Sequence, residues 1–214
     1  MTHSLNEIEA LSKRAARGSG LSWGLAEEAA KGTRWLSSFG LPGPQLLADL
    51  LELNDRRAEI DVSPMSLEGV WKAPAGRMSP LISGASLSDC AGRLLALGQI
   101  QLQSVSYPLL VVPFVGGAAL RLKTPVSVAW DGVRLTTDGY QLCTEGEDGL
   151  TADHTQLMTV SAPAVMEGPK EPVIRAQVSP ACWATLNRFA HRTFAPASDE
   201  SRARGAGAGL ADND

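Results

Sequence analysis

The apolar residues of this chain change their period at Gln99. Before it they recur every three or four positions, the spacing of one helix face. After it, up to about Val178, they alternate or run in short blocks between Asp-Gly and Pro/Gly turns, the spacing of strands. A helical stretch begins again at Ser179-Pro180. Helices at the two ends and hairpins between them exclude the repeated βα units of a doubly wound parallel sheet. They predict an α+β fold with N-terminal helices packed on a mainly antiparallel sheet, a C-terminal helix and a Gly-rich tail.

Local signals place the elements. Ser4-Leu5-Asn6-Glu7 has the form of a capping box, in which the serine oxygen and the glutamate satisfy two helix N–H groups. Leu5, Ile8, Leu11 and Ala15 then predict a helix to about Arg17, ended by Gly18-Ser19-Gly20. Ser22 caps a second helix to about Phe39, whose inner side (Leu25, Ala29, Gly32, Leu36) is mostly small and predicts close approach of another backbone. Pro44 suits the first turn of a third helix reaching Asn54. Ser86 to Asp89 predicts a cap for a helix over Leu87 to Leu97. Leu109 to Val112 reads as a buried strand, and Phe114 to Leu122 as a short helix or another strand. Asp131-Gly132 and Asp138-Gly139 are hairpin turns. Gln156 to Ser161 and Val173 to Val178 read as strands, and the last helix runs to about Arg192. The expected organisation is a helical region over 1–55, a mixed region over 56–198 in the same compact unit, and a tail over 199–214.

With 44% hydrophobic and 20% charged residues, the chain can bury a sizeable core. A net charge of −4 gives no electrostatic reason to expect nucleic acid or an anionic membrane as partner. Met1 to Ala10 is polar, and no apolar run approaches the length of a membrane span. The three cysteines (Cys90, Cys143, Cys182) lack framework spacing. These features predict a cytoplasmic protein with reduced thiols.

Two segments stand out for chemistry. In the second helix, Glu27 and Glu28 lie near Trp23 and Trp35. Glu27 is spaced to pair with Lys31, whereas Glu28 shares a face with Trp35 among small residues. A carboxylate partly buried there would have a raised pKa and could serve as acid or base. In the tail, the amides of Gly205, Gly207 and Gly209 can converge on an anion, with Arg202 and Arg204 as charge-assisted donors. The competing readings are a solvated charged helix face and a flexible tail.

Other candidates are weaker. His3, His154 and His191 share no ligand spacing, so no metal is expected, although Asp212 and Asp214 offer oxygen donors for a hard cation. Cys182 opens a helix, where the dipole lowers a thiol pKa. Its stripe with Leu186 and Phe189 predicts core packing instead. Ser201 has no visible base, and Asp153-His154 reads as a surface pair. Trp71, Trp130 and Trp183 read as packing aromatics.

Ser4 to Leu11, Ala16-Arg17-Gly18 and Trp23 to Ala29, together with Pro196-Ala197-Ser198, Ser201-Arg202, Gly205 to Gly209 and Asp212-Asn213-Asp214, resemble a bacterial family of uncharacterised proteins, domain of unknown function 3726. The resemblance implies a stand-alone bacterial protein and brings no activity, cofactor or site with it. The residues themselves favour a small-molecule enzyme or binder for an anionic carboxylate or phosphate metabolite. Arg202, Arg204 and the glycine amides would hold the anion, and Glu28, or less favourably Glu27, would act as the acid/base group. The alternative is a non-catalytic subunit or assembly protein whose C-terminal tail docks on a partner, with a homo-oligomer or another protein as the expected partner.

Overall fold

The computed structural model describes residues 1–194 of the 214. Eight helices and eight strands make an α+β fold over that range. The helices are α1 (Leu5–Gly18), α2 (Trp23–Ser38), α3 (Gly43–Leu53), α4 (Glu59–Val62), α5 (Pro80–Asp89), α6 (Ala91–Leu97), α7 (Val112–Leu122) and α8 (Pro180–His191). The strands are β1 (Thr2–Ser4), β2 (Val70–Trp71), β3 (Gln99–Ser106), β4 (Val126–Trp130), β5 (Val133–Thr137), β6 (Leu142–Glu145), β7 (His154–Ser161) and β8 (Arg175–Gln177).

The main sheet runs β2-β3-β7-β4-β5-β6, antiparallel throughout except for the short parallel β2–β3 pair. β1 and β8 form a separate antiparallel pair that joins the start of the chain to the segment leading into α8. The predicted turns are where local chemistry requires them. Asp131 and Gly132, at φ 41° and 81°, close the β4–β5 hairpin in a left-handed turn, with Trp130 opposite Val133. In the β5–β6 turn the Asp138 carboxylate accepts from the N–H groups of Tyr140 and Gln141 at 2.8 and 2.7 Å.

The caps formed as expected. Ser4 and Glu7 make a reciprocal capping box on α1, Ser22 Oγ accepts from Leu25 N–H, and Ser179 Oγ accepts from Cys182 N–H ahead of Pro180. The small inner face of α2 also behaves as its composition dictates: a Cβ on Gly32 would stand 3.2 Å from the Pro113 ring, so α7 rests directly on α2. The N-terminal helices reach the sheet through that contact and through the Trp35 indole, which donates to the Gly139 carbonyl at 3.1 Å. One continuous core joins the helices to the inner face of the sheet, with Trp71, Met78, Leu102, Val128 and Leu135 all essentially inaccessible.

Two expectations fail. Leu109 to Val112 is not a strand: Pro108–Val111 is a 3-10 turn that runs straight into α7. Pro108 and Pro113 lack the N–H that a ladder needs and instead suit helix starts, so they override the apolar run. The helix expected over Leu87 to Leu97 is two helices. α5 starts earlier, at Pro80 behind an extended Ser79, and Cys90 leaves helical geometry between it and α6.

Candidate functional site

A cavity of about 390 Å³ opens where the C-terminal turns of α1 and α3 meet α4 and the first turn of α5. One wall is the α1–α2 turn, Ser19 to Leu21, closed by Leu21 N–H on Ala16 O at 3.2 Å and by the Arg17 guanidinium on Leu21 O. Leu50, Leu51, Val62 and Leu81 line the interior and are at most 5% exposed. Asn54, Arg56, Arg57 and Glu59 carry its polar side.

α5 contributes the feature that a ligand would use. Ser79, in the N-cap position, is only 3% exposed and lines the cavity, yet its side chain makes no capping hydrogen bond. Its backbone is fully engaged: the N–H donates to Val62 O at 2.9 Å, and the carbonyl accepts from Ser83 N–H at 3.0 Å and Ser83 Oγ at 2.8 Å. The hydroxyl makes no hydrogen bond among the described residues but stays open to the cavity; the buried side-chain atoms without a partner there are His3 Nε2 and Ser12 Oγ. Pro80 brings no N–H, and the amides of Leu81 and Ile82 precede the first intrahelical bond, so the turn presents unpaired donors at the positive end of the helix. Open donors at a helix N-terminus make this a place where an anionic oxygen would be favoured.

The loop after α3 adds positive charge. Arg57 N–H returns to Asn54 O at 3.0 Å, and this tight return forces Arg56 to φ 62°. A non-glycine residue held in the left-handed region costs roughly 1–2 kcal/mol, and such strain gathers at functional loops. Among the described residues neither Arg56 nor Arg57 has a carboxylate within salt-bridge distance. Their neighbours are paired elsewhere: Asp55 takes Arg192, and Glu52 takes Arg188.

The residues expected from the sequence fall in three places. Trp23 and Glu27 come together against α1, where Lys13 sits 2.5 Å from Glu27 and 5.8 Å from the Trp23 ring, and the Arg17 guanidinium stacks 4.4 Å above that ring. Hydrogen bonding to Lys13 lowers the Glu27 carboxyl below its ordinary value. The expected Lys31 partner is replaced by an interhelical one. Glu28, a further 100° around the helix, is not with them. It lines a shallow groove of about 310 Å³ with Lys31, Trp35, Ser88, Phe114 and Leu120. Burial there, reinforced by Asp89, pushes its carboxyl above the ordinary glutamate range. Arg202, Arg204, Gly205, Gly207, Gly209, Asp212, Asp214 and Ser201 lie outside the described residues.

Sequence reasoning passed over Arg56, Arg57 and Ser79. Ser79-Pro80 was a legible signal, a cap residue followed by proline at the first helical position. Cys182 is core, its thiol pushed up to about 12 by burial. His3 stacks on Trp183 with ring centroids 3.7 Å apart. Among the described residues no group of three or more His, Cys, Asp or Glu side chains could hold a metal ion, and no helix is long and apolar enough to cross a membrane.

Comparison with known proteins gives one family. The model of a protein family of unknown function, DUF3726, matches residues 3–79. That segment carries every residue lining the cavity except Leu81 and Ile82, and it ends on Ser79. It includes the opening motif of the resemblance but not the closing one. No curated protein matches the sequence. Among solved structures, malate dehydrogenase from Entamoeba histolytica is similar at 9% identity and a TM-score of 0.43, over 67% of this chain and 45% of its own. The chain thus spans less than half of that structure's length, and likeness at this level carries no function.

Proposed function

We propose that this protein binds a small anionic metabolite, a carboxylate or a phosphate, in the cavity between α3 and α5. The observation that carries the reading is Ser79: a cavity-lining hydroxyl with no hydrogen-bond partner among the described residues, at a helix N-terminus whose first amides are unpaired, facing the same cavity as two arginines. Helix N-termini favour negative charge, and arginine matches the geometry of carboxylate and phosphate oxygens. Glu59 on the rim offsets one positive charge, leaving the polar side net positive.

Thermal melts with inorganic phosphate and with acetate, in an uncharged or cationic buffer, test it. At a hundred times Kd a ligand specific to the folded state stabilises by about 2.7 kcal/mol, a readily measured shift. S79A and the R56A/R57A double variant should lose the shift while melting as two-state proteins. Equal shifts in wild type and both variants would overturn the assignment. Arg202, Arg204 and the amides of Gly205, Gly207 and Gly209 enter the proposal as additional donors. Truncation after residue 198, measured in the same series, reads their contribution.

A second reading rests on Glu28. Its carboxyl is raised above the ordinary glutamate range by partial desolvation in the groove it shares with Trp35, a setting suited to an acid/base group. Any turnover found for the protein should fall at least tenfold in E28Q if this role is real; unchanged turnover removes it.

A further inference from the structure

Resting on the anion reading above, we infer that the ligand is an aliphatic amphiphile: one anionic oxygen group joined to a medium-length hydrocarbon chain. The cavity is divided in character. Its polar components are Ser19, Asn54, Glu59, Ser79 and the arginines of the α3–α4 loop, whereas Leu21, Leu50, Leu51, Val62, Leu81 and Ile82 supply a purely aliphatic surface. A free phosphate or acetate would leave that surface against water. A ligand whose apolar part covers it gains the hydrophobic free energy as well. Among the described residues no aromatic side chain lines the cavity, so a nucleobase or other flat ring finds no stacking partner.

Size limits the chain. At about 30 Å³ per water-sized group, a volume near 390 Å³ holds about a dozen non-hydrogen atoms. After the anionic head, that leaves a chain of roughly eight to ten carbons.

The test is calorimetric titration of the full chain with acetate, butanoate, hexanoate, octanoate, decanoate and dodecanoate, kept below their micelle concentrations, with inorganic phosphate and benzoate alongside. Each buried methylene should strengthen binding about fourfold, and the gain should level off near decanoate. Ile82 is only half-buried and sits on the aliphatic side. I82N should therefore flatten the chain-length dependence. S79A should weaken every member of the series alike.

If all chain lengths bind as acetate does, or benzoate outbinds octanoate, the amphiphile inference is overturned and the anion site stands. A chain-length slope that is unchanged in I82N overturns the placement of the chain in this cavity. If neither phosphate nor any carboxylate binds, the anion reading itself falls.

Discussion

Arg192 donates two parallel hydrogen bonds to the carboxylate of Asp55, at 2.6 and 3.0 Å, and so ties the end of α8 to the loop that carries Arg56 and Arg57. The planar guanidinium matches the carboxylate at both oxygens, which fixes geometry as well as charge. The loop therefore reaches the cavity from an anchored base.

The same contact sets a pH dependence. Hydrogen bonding from Arg192, with the charges of Arg192, Arg56 and Arg188, holds the Asp55 carboxyl below the ordinary aspartate range. A depressed folded-state pKa contributes stability that is fully present above the unfolded value and is lost as pH falls through the folded one. D55N should lower Tm slightly at pH 7, and its melting curve should merge with that of the wild type in strong acid. A gap that stays constant down to pH 2 would show that the pair acts through packing rather than charge.

Gly18 is the helix glycine with least room. A Cβ built there would meet the Phe189 carbonyl oxygen at 1.8 Å, and backbone cannot yield as a side-chain tip can. G18A should therefore push α8 off α1 and destabilise the protein by about 2–3 kcal/mol, at the upper end for overpacking. Chemical denaturation with an unchanged m-value would register this as loss of stability. A shift below about 0.5 kcal/mol, the level of an ordinary surface change, would refute the tight α1–α8 contact.

Much of the fold was legible because its signals are local. Ser4 with Glu7, Ser22, and Ser179 with Pro180 start helices by chemistry contained within four residues, and Asp131-Gly132 turns the chain with no outside help. The run Leu109 to Val112 reads as a strand because a fully apolar segment has no period to distinguish strand from helix, and the flanking Pro108 and Pro113 decided the matter. The small face of α2 announced a close neighbour, but not that the neighbour would be Pro113. The cavity was illegible for another reason. Leu21, Leu51 and Leu81 read as core in any sequence, and only the meeting of three helix ends, from distant parts of the chain, leaves a space between them. Arg56 gave no sign of its left-handed backbone, since the tight return at Asn54 is made by an ordinary polar sequence.

Glu28 gives a prediction of opposite sign to that for Asp55. Its carboxyl is raised, first by burial and then by Asp89, with Arg121 and Lys31 acting the other way. The folded state thus holds its proton to higher pH than the unfolded chain, so stability declines as pH rises from the unfolded to the folded pKa. E28Q removes that penalty. It should melt above the wild type at pH 7 and together with it below the ordinary glutamate range. A variant that melts lower at pH 7 would mean that the ionised carboxylate is held by Arg121 and Lys31, contrary to the direction found here.

Cys182 tests the balance between a helix dipole and burial at one atom. It stands in the first turn of α8, its backbone N–H bonded to Ser179 Oγ at 3.1 Å, where the dipole favours a thiolate. Burial opposes this and wins, placing the thiol at about 12. Alkylation of the native protein at pH 8 should therefore modify the half-buried Cys90 and spare Cys143 and Cys182, with all three cysteines reacting in denaturant. C182S puts a stronger donor into the same apolar stripe beside Leu186 and Phe189, and should cost about 1–3 kcal/mol for an unsatisfied hydroxyl. Rapid modification of Cys182 in the folded protein would mean that α8 opens locally, and the anchor that Arg192 gives to the Asp55 loop would open with it.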